Sequence, residues 1–147
     1  MIIVEDCSIR NAKNLLEERG ALVACRQLAI ECEGDPSKNK DLVHRLGFSG
    51  KTTIPIGDNR PKLDAYSSKW KVGVEREFQE QMNVRSHLLF TEIGHQLGMI
   101  EIGVYILSIS NSKANFKRTF NELTEYDIFT KYFPLTVPLY IIGCEYE

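Results

Sequence analysis

Asp64, Glu75 and Glu77 are the residues of this chain whose types and spacing could do chemistry. They lie in the segment KLDAYSSKWKVGVEREF, residues 62–78, which reads as a β-hairpin with an acid on one strand and Glu-x-Glu on the next. On the second strand Val72, Val74 and Phe78 fall on one face and Glu75, Glu77 and Gln79 on the other, because successive side chains alternate. Two carboxylates at i and i+2 have Cα atoms roughly 6.5–7 Å apart, so their side chains can converge on one ion. Hard cations such as Mg2+ prefer oxygen ligands and assist the hydrolysis of phosphodiesters. Paired carboxylates also suit a glycosidase, but such a site needs a deep cleft and an aromatic sugar platform that is not evident here.

At 147 residues the chain is expected to form a single domain, with residues 1–60 a helical N-terminal part and residues 61–147 the core that carries the acids. Ser8 is placed to cap a helix bearing Ala12, Leu15 and Leu16 and ended by Gly20. Residues 21–32 fit a helix or a strand, and length favours the helix. A turn over residues 34–37, a short helix over residues 39–46 and a polar loop over residues 49–61 follow. Beyond strands at residues 62–66 and 70–78, Leu88, Leu89, Ile93 and Leu97 recur at helical spacing, with Gly98 as the stop. Residues 100–109 (IEIGVYILSI) are almost continuously apolar, as in a strand buried on both faces. Residues 116–132 return to helix with Phe120, Leu123, Ile128 and Phe129 on the apolar side. Residues 135–144 read as a strand that Pro138 assigns to an edge or a bulge. The fold class is therefore α/β in the mixed, α+β sense: a mixed central sheet flanked by helices, ordered β-β-α-β-α-β after a helical start.

A net charge of −2 excludes a histone-like DNA coat but leaves room for a locally basic groove. The four cysteines, Cys7, Cys25, Cys32 and Cys144, lack CxxC spacing, so reduced thiols and a cytoplasmic location are expected. Glu5, Asp6 and Arg10 interrupt the first apolar residues, so neither a signal peptide nor a membrane span is expected.

The hairpin and the elements after it resemble the PD-(D/E)XK nuclease core, and within it the BamHI/BglII-type group of type II restriction endonucleases. The likeness rests on KLDAYSSKWKVGVEREF, NVRSHLLFTEIGHQLGMIEIGVYIL and FPLTVPLYIIG, and spans roughly residues 62–144. The resemblance implies a restriction-endonuclease-like fold and a Mg2+-dependent endodeoxyribonuclease, with Mn2+ able to substitute. It implies a homodimer that cuts double-stranded DNA at a short palindrome. Asp64 and Glu75 would be metal ligands. Glu77 stands where most such enzymes carry lysine, and the three acids together would be the catalytic set. An acid or amide from an upstream helix would complete the site, a place that Asn39 or Asp41 could fill. The same core also serves repair and mobile-element nucleases without fixed specificity, and inert DNA-binding modules.

Hairpin geometry constrains this picture. A two-residue turn at Ser67 and Ser68 would set Asp64 against Lys71, too far along the strand from Glu75. A longer loop through Trp70 sets Asp64 opposite Gly73 and diagonal to Glu75, with the glycine giving the ligand room, and this is the expected register. Phosphate contacts are expected of Arg85, Lys113, Lys117 and Arg118, with Arg60, Lys62 and Lys69 near the site. Residues 110–117 (SNSKANFK) are the best candidates for base contacts. His44, His87 and His95 read as surface or core histidines, not ligands. Tyr126, Phe129, Tyr132 and Phe133 read as core or interface packing, not a base-stacking platform.

Overall fold

A computed structural model describes residues 1–32, 36–58, 60–78, 84–109 and 115–145. Its strands are β1 (Ile2–Ile9), β2 (Thr52–Thr53), β3 (Lys62–Leu63), β4 (Ala65–Ser67), β5 (Val72–Glu77), β6 (Ile102–Ser108) and β7 (Leu139–Glu145). Its α-helices are α1 (Ala12–Glu18), α2 (Leu22–Glu31), α3 (Lys40–Arg45), α4 (Val84–Gln96) and α5 (Asn115–Thr124). Five strands form one sheet in the order β1-β7-β6-β5-β4, while β2 and β3 make a small ribbon beside it. β5, β6 and β7 run parallel, linked through α4 and α5, and the outer pairs β1–β7 and β4–β5 are antiparallel.

The apolar run on β6 is explained by layers on both faces. Val104 and Ile106 pack with Ala12, Leu16, Cys25 and Leu28 of α1 and α2. Tyr105 and Leu107 turn to the opposite side, where α4 and α5 contribute Leu88, Phe116 and Leu123. A strand covered on both sides gains by being apolar at every position, which erases the alternation seen on half-exposed strands. β5 keeps its alternation: Val72, Val74 and Phe78 join the α1/α2 side, and Glu75 and Glu77 point to the α4 side.

Several expectations need correction. The N-terminal part is not wholly helical, because residues 2–9 form β1, an edge strand paired antiparallel with β7. Ser8 therefore lies near the end of a strand. It still does capping chemistry, since its Oγ accepts the Lys13 N–H at 2.9 Å, while Asn11 takes the N-cap position in a left-handed conformation at φ 62°. Pro138 does not mark an edge. It precedes β7, which lies between β1 and β6, and its carbonyl accepts the Gly103 N–H at 2.9 Å.

The apolar faces assigned to two helices also shift. Leu88 is buried as expected, but Leu89 and Leu97 are exposed, and α4 also buries Thr91, Glu92 and Gly94. A Cβ at position 94 would lie 2.6 Å from Ile100 Cδ1, so a larger residue there would push the Ile100 side chain aside. Residues 116–132 divide into α5 and a π-helical turn, Ile128–Tyr132. Phe120 is more than a third exposed, and the buried face of α5 is Phe116, Thr119, Glu122 and Leu123.

Candidate active site

Glu75 and Glu77 stand at the carboxyl end of β5, on the sheet face covered by α4. His87, in the first turn of α4, meets them there: one ligand atom from each of Glu75, Glu77 and His87 lies within 4.8 Å of the other two. The floor is built from side chains that fix α4 against the sheet. Tyr105, cross-strand neighbour of Glu75, shares a 2.7 Å hydrogen bond with Thr91 Oγ1, which also donates to the His87 carbonyl at 3.0 Å.

Asp64 approaches from the other strand of the hairpin. Ala65 pairs with Val74 and Tyr66 with Gly73, so Asp64 stands across from Glu75 and not from Gly73. The connecting loop is longer than a two-residue turn, as expected, but the register lies two residues beyond the expected one. Gly73 instead makes room for Leu63 and Ile100, whose methyl carbons would lie 3.1–3.3 Å from a Cβ there. Asp64 also splits the expected strand 62–66 into β3 and β4. Its Oδ2 accepts the Arg76 N–H at 2.9 Å, and its Oδ1 is ion-paired with Lys51 Nζ.

The electrostatics are those of a site short of positive charge. Glu75 is only 6% exposed. Burial pushes its carboxyl up to about 8, reinforced by the Asp64 and Glu77 carboxylates and offset in part by His87 and Lys51. His87 is pushed up by its contact with Glu77 first and by Glu75, against burial, which favours the neutral ring. His87 Nδ1 is 2.9 Å from Glu77 Oε1, an ion-pair contact within the cluster. Two carboxylates and an imidazole with ligand atoms within 4.8 Å of one another, in a site short of positive charge, fit a divalent cation. His87, expected to be a surface or core residue, is the member of this cluster that the sequence did not reveal.

Other sequence candidates fall elsewhere. Arg85 makes a bidentate pair with the buried Glu122, at 2.8 and 3.1 Å to Oε1, and so clamps α4 to α5. Lys117 and Arg118 are exposed on α5, whereas Lys113 and residues 110–114 lie outside the described residues. Asn39 is 6% exposed in the 3-10 turn Pro36–Asn39 and lines, with Asp64, Lys40 and Lys51, a cavity of about 620 Å3 on the α2/α3 side. Asp41 is exposed in the first turn of α3. His95 fulfils its structural expectation through a 2.7 Å hydrogen bond between Nδ1 and the Ile100 carbonyl. Of the aromatic group, Phe129 is buried, and Tyr126, Tyr132 and Phe133 are exposed.

No protein family matches the sequence, and no curated protein matches it either. Among solved structures, the crystal structure of restriction endonuclease BglII complexed with a DNA 16-mer matches over all of this chain and 79% of its own, with a TM-score of 0.76 and 16% identity. The chain has a restriction-endonuclease-like fold. At that identity the likeness is one of architecture. In this restriction-endonuclease-like frame Glu75 and Glu77 stand at the end of β5, next to the sheet edge, with Asp64 across the hairpin.

Proposed function

We propose that the chain is a Mg2+-dependent endodeoxyribonuclease of the BamHI/BglII type that cuts both strands of a short palindromic site in double-stranded DNA. The observation that carries this reading is the convergence of Glu75, Glu77 and His87, with Asp64 across the hairpin, on a restriction-endonuclease-like fold. A divalent ion would neutralise the non-bridging phosphate oxygens and lower the pKa of a bound water. Asp64 and Glu75 are the proposed oxygen donors for it, and Mn2+ would substitute for Mg2+. Glu77 cannot serve as a cation, so its role is to orient or deprotonate the attacking water, and His87 beside it would offer the ion a nitrogen donor. Attack in line with the leaving 3′ oxygen would leave a 5′-phosphate. Asn39 is favoured over Asp41 as the upstream residue, because it shares a cavity with Asp64.

Cutting both strands of a palindrome calls for two sites, hence a homodimer. Exposed Leu89 on α4, Leu97 just beyond its end and Phe120 on α5 offer apolar surface for such pairing. Lys117, Arg118 and Lys113 remain the proposed phosphate contacts, while Arg85 reaches DNA only if it leaves Glu122. All four cysteines are free thiols, in keeping with a reducing, cytoplasmic setting, and no described helix is long and apolar enough to cross a membrane.

The test is incubation with long phage-type DNA and Mg2+ or Mn2+, beside Glu75→Ala. Discrete fragments that vanish in the variant are expected. A smear that vanishes would retain the nuclease and remove the fixed specificity. No cleavage with either ion would overturn the enzyme reading in favour of an inert DNA-binding module.

A further inference from the structure

The strand register places one lysine in the site. Ser49 pairs with Tyr66 through hydrogen bonds of 2.7 and 3.0 Å, and Thr52 pairs with Leu63. Both pairings belong to one antiparallel register, which sets Lys51 directly across from Asp64. Asp64 in turn faces Glu75, so Lys51, Asp64 and Glu75 stand in a row over three neighbouring segments. Cross-strand neighbours of opposite charge meet at short range, and Lys51 Nζ is ion-paired with Asp64 Oδ1.

The pair is built to exchange. The Lys51 side chain is 57% exposed and that of Asp64 27%, so water screens the contact. Exposed pairs of this kind hold weakly, whereas a divalent cation doubles the charge presented to the same oxygen. The ammonium sits on a flexible four-carbon stem and keeps its charge wherever it swings. Asp64 need not move on releasing it, because Oδ2 remains tied to the Arg76 amide. Lys51 also lines, with Asp64 and Lys40, the cavity on the α2/α3 side, so the freed ammonium has open space to swing into.

We propose that Asp64 exchanges Lys51 for a divalent cation and that the freed ammonium engages a DNA phosphate, so that each ligand tightens the binding of the other. The inference rests on the nuclease reading and adds a coupling residue to it. In the metal-free protein Lys51 blocks one ligand oxygen and spends its charge on Asp64. DNA that draws Lys51 away uncovers the oxygen, and by linkage the gain in metal affinity equals the gain in DNA affinity.

The experiment measures Ca2+ affinity by calorimetry with and without a short mixed-sequence duplex, and duplex affinity by fluorescence anisotropy with and without Ca2+. In the wild type each ligand is expected to tighten the other. In Lys51→Ala the DNA-free affinity for Ca2+ should rise up to about fivefold, because the competing ammonium is gone. The mutual tightening should shrink toward none. Lys51→Arg should retain the coupling, and Lys51→Met, which keeps the apolar stem, should behave as Lys51→Ala. Thermal unfolding of each variant excludes loss of fold as the cause. Unchanged or weaker Ca2+ binding in Lys51→Ala and Lys51→Met would overturn the exchange. So would an equal loss of DNA affinity with and without Ca2+, which marks a plain phosphate contact. A wild type that binds neither Ca2+ nor DNA overturns the nuclease reading as well, and the two failures are thereby told apart.

Discussion

Glu75 and Glu92 lie on the same side of the sheet and are almost equally buried, at 6% and 4% exposed, yet the protein treats them in opposite ways. Burial works against the charge of Glu92, but donors outweigh it. The Thr136 hydroxyl at 2.6 Å and the Thr136 and Val137 amides at 2.9 Å hold its carboxyl below the usual range. Glu75 has carboxylates for neighbours, and its carboxyl is pushed up to about 8. Glu92 is a finished structural joint that fixes α4 to the segment before β7. Among the described residues Glu75 lacks such donors, and a cation beside it would favour its charged form. The contrast separates a buried acid satisfied by donors from one whose perturbed carboxyl marks it as a candidate for chemistry.

The largest effect should come from breaking the prepared member. Glu75→Ala is expected to lower cleavage by at least about a hundredfold while leaving thermal stability unchanged or raised, since removing a ligand costs more than removing its supports. Retained cleavage would place the chemistry elsewhere. His87 sharpens the same side of the contrast. Because imidazole suits Mn2+ better than Mg2+, His87→Ala should weaken Mn2+ binding about ten- to hundredfold and Mg2+ binding less. Equal losses by calorimetry would indicate that His87 only positions Glu77.

The structural member should fail differently. Glu92→Ala strips three donors of their acceptor and is expected to cost about 2–3 kcal/mol, read as a fall in Tm of roughly 5–10 °C. Metal binding measured below that transition should be unaltered, and a loss of it would show the two glutamates to be coupled.

The smallest effect is on pH dependence. Folded Glu75 holds its proton to about 8, while an unfolded carboxyl releases it near the ordinary value of 4.5. Between these values the unfolded chain binds fewer protons, so stability of the metal-free protein falls as pH rises. His87 acts in the same direction, because its raised folded value contributes stability below 6.5 that is lost as pH climbs through it. Glu75→Gln should flatten the decline by a few degrees of Tm at pH 8, and added Mn2+ should stabilise the wild type more at pH 8 than at pH 6. A slope of opposite sign in scanning calorimetry would refute this account of Glu75.

The central layer was legible from periodicity because its cause is local. β6 and β7 are covered on both faces and read as apolar runs, and β5 is covered differently on its two faces and alternates. That alternation by itself sets Glu75 and Glu77 on one face. β1 was missed because its partner is at the other end of the chain, Ile2 against Glu145, and an edge strand with an acidic middle carries little pattern of its own. Most of the buried face of α4 was missed because it includes Thr91 and Glu92, polar residues made acceptable by partners such as Tyr105, Thr136 and Val137. A faint signal for His87 could have been read from the order of elements. In a strand–helix–strand unit the first turn of the helix lies beside the carboxyl end of the preceding strand, and Glu77 and His87 occupy those two places. Lys51 had no such signal, since its position depends on a register between segments that the polar loop conceals.

Spacing along one strand was enough to say which acids share a face, because the two-residue repeat is a property of the extended backbone itself. The third acid's place across the hairpin, the histidine beneath and the lysine in front came only with the tertiary structure. So did the charge state of Glu75, which depends on burial and on groups from four separate segments, and neither is a local quantity.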